Sequence, residues 1–147
     1  MKEFEIFDVL IVEDNPNDAE LMIRALRRGN IANPLHVVED GAEALDFIFA
    51  RGRYEARSGI QPPRVVLLDI KLPKVSGLEV LKAIKENEKT KNIPVVMVTS
   101  SREDPDVQAA YLLGANSYIV KPVDNAAFVN VMNQIGLYWL LVNQPPV

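Results

Sequence analysis

The chain has 147 residues, 48% of them hydrophobic, enough for one compact domain with a substantial core and too little for two ordinary ones. Its net charge is −4 and its Lys and Arg are scattered among acids, so no basic face for nucleic acid is evident and output through a protein is favoured. The start, "MKEFE", lacks the basic-then-apolar pattern of a secretory signal, and no apolar run approaches the roughly 20 residues that span a bilayer; a cytoplasmic protein without a membrane partner is expected, and the absence of cysteine excludes disulfides and thiol chemistry.

Short apolar runs alternate with longer amphipathic segments five times along the chain. The first strand is expected over 7–12, followed by a helix capped by Asn15, with Pro16 in its first turn and Gly29 as its stop. A second strand over 35–39 leads to a helix opened by Asp40 before Gly41. His36, the only histidine, lies in that strand and reads as a packed or edge-strand residue rather than an exposed reactive one. Residues 52–63, "GRYEARSGIQPP", read as the one long connection, polar and basic, a solvated loop with a partner contact as the alternative. The third strand, 64–69, precedes a helix with Ser76 as cap and Glu79 completing a capping box. The fourth strand, 93–99, precedes a helix running from Asp104-Pro105 to Gly114. The fifth, 117–120, precedes a last helix over 124–143 with Phe128, Val131, Met132, Ile135, Trp139 and Val142 as its apolar stripe. The three strands richest in Val, Ile and Leu lack polar alternation, as central parallel strands do.

Five βα units are too few to close an eight-stranded barrel, so the expected fold class is α/β with an open, doubly wound parallel sheet. Ligand chemistry then belongs at the carboxyl ends of the strands. Glu13-Asp14 and Asp69 stand at two of those ends, and three carboxylates in one crevice cannot all stay ionised without a cation. A hard divalent ion such as Mg²⁺ resolves this while keeping waters for a phosphate to displace; helix capping is the plainer reading of Glu13-Asp14 taken alone. Thr99 ends the fourth strand and Lys121-Pro122 the fifth, adding a hydroxyl and an ammonium suited to a transferring phosphoryl group.

With Glu13-Asp14, Asp69, Pro73 followed by Gly77, Thr99 and Lys121-Pro122 at compatible spacing, the chain resembles the receiver domain of two-component response regulators over about residues 6–143. The resemblance implies a flavodoxin-like (βα)5 fold with strand order 2-1-3-4-5, residues 1–147 as a single domain and 144–147 as a C-terminal tail. It implies that Asp69 is the phosphoacceptor for a histidine kinase, and that Glu13, Asp14, Asp69 and the backbone carbonyl of Lys71 hold Mg²⁺. It further implies that Thr99 and Lys121 bind the phosphoryl oxygens, that the Lys121-Pro122 bond is cis, and that Thr99 and Tyr118 form a phosphate-driven switch. Lys71 and Ser101 occupy positions that vary among receivers and are expected to tune hydrolysis of the acyl phosphate. Such a protein catalyses only its own phosphorylation and dephosphorylation. Glu13 stands where many receivers have Asp, and its longer side chain can still reach the ion.

Nothing follows residue 147, so no output domain is expected and signalling is by contact. The segment "IGLYWLLVNQPPV" carries Leu137, Tyr138, Leu140 and Leu141 as candidates for a homodimer or partner surface. This terminus, "LLDIKLPKVSGLEVL" and the connection at 52–63 resemble the stand-alone response regulators of bacterial phytochrome histidine kinases, whose dimers form through the last helix or the C-terminal extension. Rival readings are a phosphohydrolase of the haloacid dehalogenase type, a flavodoxin-like nucleotide binder and a phosphorylation-independent binding module. The hydrolase needs a second acid two residues after its nucleophile, where this chain has Lys71; the nucleotide binder would not place the acidic "EDNPND" around an anion. The binding module is disfavoured because no member of the phosphorylation set is missing.

Overall fold

The computed structural model describes residues 8–29, 31–100 and 105–134, with the backbone alone at 125, 128 and 132–134. Its elements run β1 (Val9–Val12), α1 (Pro16–Arg28), β2 (Leu35–Val38), α2 (Gly41–Ile48), a 3-10 helix (Gly52–Arg57), β3 (Val65–Asp69), α3 (Gly77–Glu86), β4 (Val95–Thr99), α4 (Pro105–Leu112), β5 (Ser117–Val120) and α5 (Asn125–Gln134). All strand pairs are parallel and the sheet order is β2-β1-β3-β4-β5, as the resemblance implied.

The three central strands are buried along their whole length, which is why their sequences show no polar alternation. Successive side chains nevertheless face opposite helix layers. Leu10, Val12, Val66 and Leu68 join Phe47, Leu81 and Ile84 beneath α2, α3 and α4. Val9, Ile11, Val65 and Leu67 join Met22, Leu26 and Val131 beneath α1 and α5. Each fully buried aliphatic side chain contributes about 1.5–3 kcal/mol, so the sheet is a rigid base for whatever projects from its ends.

The caps form as the sequence indicates: Asn15 accepts from the amides of Asn17 and Asp18, Asp40 from that of Glu43, and Ser76 from that of Glu79. Gly29 does end α1, with an ordinary φ of −84°; its value there is space, since an added Cβ would press on Val129 of α5. The turn after β3 folds back so tightly that a Cβ on Gly77 would overlap the carbonyl of Asp69, and the Gly77 amide donates to the Ile70 carbonyl at 2.8 Å. Only glycine lets α3 start this close to the strand end.

Two expectations change. Residues 52–63 are not simply a solvated loop: the 3-10 helix seats Tyr54 edge-on against Phe47 and lays the Arg57 guanidinium 3.9 Å over the same ring. The run of polar residues hid this because Arg57 buries a long apolar stem with its charge. The first four strands are also shorter than expected, β4 starting only after Pro94, which has no amide to donate to the ladder, while β5 keeps its expected bounds. Asp104, Ser101 and the last helix beyond Gln134 lie outside the described residues, as do Leu137, Tyr138, Leu140 and Leu141.

Candidate phosphoacceptor and metal site

Parallel register sets the site. Val12 pairs with Leu68, so the chain leaves the sheet at Glu13 beside Asp69; Asp69 in turn pairs with Val98, one residue before Thr99. Thr99 pairs with Val120, and its carbonyl accepts from the Lys121 amide at 2.8 Å just before the cis Lys121-Pro122 bond. Four strand ends thus bring Glu13, Asp14, Asp69, Thr99 and Lys121 to one edge.

Lys121 extends its ammonium into the acids. Nζ donates to Asp69 Oδ2 and to Asp18 Oδ2, each at 2.9 Å, and stands 2.9 Å from Glu13 Oε1 as an ion pair. Asp18, from the first turn of α1, is a member that motif reading missed. A signal for it existed: the amino end of α1 faces the crevice, and an acid at its third position is carried there with it. Burial works against the charged form of Lys121, but its hydrogen bonds to Asp69 and Asp18 and its pairing with Glu13 outweigh it and raise its pKa. Glu13 is 1% exposed, and burial pushes its carboxyl up to about 7 against the opposing pull of Lys121.

One carboxylate oxygen from each of Glu13, Asp14 and Asp69 lies within 4.8 Å of the others. Oxygens on an octahedral Mg²⁺ at about 2.1 Å stand roughly 3–4 Å apart, so a small closure brings this set onto an ion. Glu13 Oε1 is buried and accepts no hydrogen bond, facing only the charge of Lys121, so it has coordinating capacity for a cation. The hard oxygen set therefore fits Mg²⁺ or a similar ion. Lys71, whose carbonyl is the fourth expected ligand, is tied to the site by its amide, which donates to Asp69 Oδ1 at 3.2 Å. A cleft of about 570 Å³ lined by Asp14, Lys71, Pro73, Ser76 and Asp106 opens beside these groups.

Thr99 is buried, at 2% exposure. Tyr118 is half-buried on β5, pairs with Met97 and meets the Tyr111 ring edge-on with centroids 5.9 Å apart. His36 lies away from this edge, stacked on Phe47, as a packed edge-strand residue should.

The family model described as "Response regulator receiver domain" matches residues 9–133. The chain belongs to the response regulator receiver family. Among curated proteins, this receiver is 40% identical over 140 residues to a probable methanogenesis regulatory protein, FilR2, of Methanothrix harundinacea, covering 95% of this chain and 88% of that one. Among solved structures, the bacteriophytochrome response regulator AtBRR is 47% identical with a TM-score of 0.84, over 95% of this receiver and 99% of that chain. The Mn²⁺-bound form of response regulator Rcp1, a protein of Synechocystis, is 33% identical with a TM-score of 0.72, over 95% and 96%. The receiver thus stands close to bacteriophytochrome response regulators in sequence and fold. The hydrolase and nucleotide-binder readings gain no support from any of these relatives, and among the described residues no helix is long and apolar enough to cross a membrane.

Proposed function

We propose that this receiver accepts a phosphoryl group on Asp69 from a histidine kinase and passes the signal on by changing its shape. The observation that carries the reading is the single ammonium of Lys121 held 2.9 Å from Asp69 in a crevice where the carboxylates outnumber it. A carboxylate oxygen of Asp69 attacks phosphorus as the P–N bond of the phosphohistidine breaks, and the electron pair leaves with the imidazole nitrogen. Lys121 then faces a phosphoryl oxygen with its charge and Thr99 with its hydroxyl, balancing the negative charge that spreads over the phosphoryl oxygens in the transition state. Glu13, Asp14, Asp69 and the Lys71 carbonyl would hold Mg²⁺, which supplies the positive charge that lets an anion enter an acidic crevice. The Lys71 amide keeps the acceptor carboxylate oriented.

Signalling rests on a two-state equilibrium that the phosphoryl group biases: Thr99 turns towards it, and Tyr118 follows into the space released. The likeness to bacteriophytochrome response regulators supports a phytochrome-type histidine kinase as donor, and in this reading the exchange takes place in the cytoplasm. Leu137, Tyr138, Leu140 and Leu141 are the proposed contacts for self-association or a protein target. The protein is in this reading a signalling phosphoacceptor and turns over only its own acyl phosphate.

The test is label transfer from a phosphorylated histidine kinase. Wild type takes the label in the presence of Mg²⁺ and Asp69→Asn takes none; retained labelling of the Asn variant would sink the assignment.

A further inference from the structure

We propose that Asp18 is the positioning residue for Lys121, the carboxylate that keeps the ammonium in place once the other acids of the crevice are engaged. The inference rests on the reading of Asp69 as phosphoacceptor and adds to it a residue that the motif set does not contain.

Three acids face the Lys121 Nζ at 2.9 Å, yet they differ in what else they can do. Glu13 and Asp69 belong to the trio of carboxylates whose oxygens lie within 4.8 Å of one another and fit a cation; Asp18 does not. A cation draws Glu13 and Asp69 towards itself, and phosphorylation replaces the Asp69 carboxylate with an acyl phosphate. The hydrogen bond from Lys121 to Asp18 Oδ2 is then the one original contact that neither event competes for.

The local structure fixes Asp18 for this task. The Asn15 side chain caps α1 by accepting from the amides of Asn17 and Asp18, so the helix start is settled without the Asp18 carboxylate. That carboxylate is free of capping duty and is spent on a residue 103 positions away in sequence. Lys121 needs such a partner more than an arginine would, because its ammonium rides on a flexible four-carbon stem and holding one geometry costs rotamer entropy. An ammonium has three donors. With one of them held by Asp18 at the side of the crevice, the others point to where phosphoryl oxygens arrive.

The experiment follows autophosphorylation of the full chain by phosphoramidate, a small phosphodonor that removes kinase docking from the measurement, at saturating Mg²⁺. Asp18→Ala lowers the maximal rate about tenfold, the loss expected for one charge-assisted hydrogen bond made by a transition-state group, while the half-saturating donor concentration and the Mg²⁺ dissociation constant stay within about twofold. Asp18→Asn keeps an acceptor oxygen at the same place and recovers most of the rate. An unchanged maximal rate in Asp18→Ala overturns the proposal. So does a loss of Mg²⁺ affinity, measured by calorimetry, that accounts for the rate loss, because Asp18 would then belong to the metal site. An Asn variant as slow as the Ala variant overturns it as well. If wild type and Asp69→Asn are both silent, the phosphoacceptor reading fails and the proposal with it. That result is distinct from a wild type that labels and an Asp18→Ala variant that keeps pace.

Discussion

Two polar clusters are sunk into this receiver, one at the carboxyl edge of the sheet and one against β2, and they handle charge in opposite ways. In the crevice, Glu13, Asp18 and Asp69 face one lysine with Asp14 beside them at the rim, and burial holds the Glu13 carboxyl up at about 7. Against β2, the Tyr54 hydroxyl donates to Glu43 at 2.6 Å and meets His36 Nε2 at 3.1 Å, while Arg53 pairs with Glu43 at 2.6 Å. Because that hydroxyl proton goes to Glu43, Nε2 is the ring nitrogen that carries a proton. Burial lowers the His36 pKa and pushes the Tyr54 phenol up to about 12, so each stays neutral. The balanced cluster is structure; the unbalanced one is stored electrostatic tension that a cation and a phosphoryl group can relieve.

The contrast can be broken most severely at Lys121. Lys121→Met leaves buried carboxylates uncompensated and costs about 2–3 kcal/mol of stability at about pH 8 in metal-free urea unfolding, and added Mg²⁺ restores most of it. No recovery with Mg²⁺ would mean that the acids do not form one site. Asp14→Ala removes one ligand and weakens Mg²⁺ binding at least about tenfold by calorimetry, with little effect on metal-free stability. Tyr54→Phe sharpens the other side: it costs about 1 kcal/mol, equally with and without Mg²⁺, since no charge imbalance is there to relieve.

The smallest effect is a pH slope. Glu13 titrates near 7 in the metal-free protein against a usual value of 4.5, so protons compete with the cation and Mg²⁺ affinity falls as pH drops through about 7. The stability linkage has the opposite sense. The folded state holds this proton more tightly than the unfolded chain, so the Glu13 contribution to metal-free stability is largest at low pH and is lost as pH rises through about 7.

Most of the fold and the core of the site were legible from sequence because they depend on local signals. Uninterrupted aliphatic runs mark buried strands, Asn15, Asp40 and Ser76 mark helix starts, and polar residues immediately after Val12, Leu68 and Val120 must fall at the sheet's chemical edge. What stayed hidden depends on distance in three dimensions. Asp18 looks like any first-turn acid until Lys121 arrives from the far end of the chain. Arg57 and Tyr54 look solvated because their polar tips conceal how much of each side chain lies on Phe47. Charge imbalance, too, is a property of the assembled crevice and of no single segment.

The parallel register has a consequence for how such a chain can change. Glu13 and Asp69 stand level because Val12 sits opposite Leu68, and deleting one residue within β1 or β3 would turn every following side chain to the other layer and drop one carboxylate out of line. The connection holding the 3-10 helix enters β3 from the opposite end of the sheet. Residues can be gained or lost there without shifting the height at which any acid emerges, so the molecule keeps its ruler at one end and its freedom to diversify at the other.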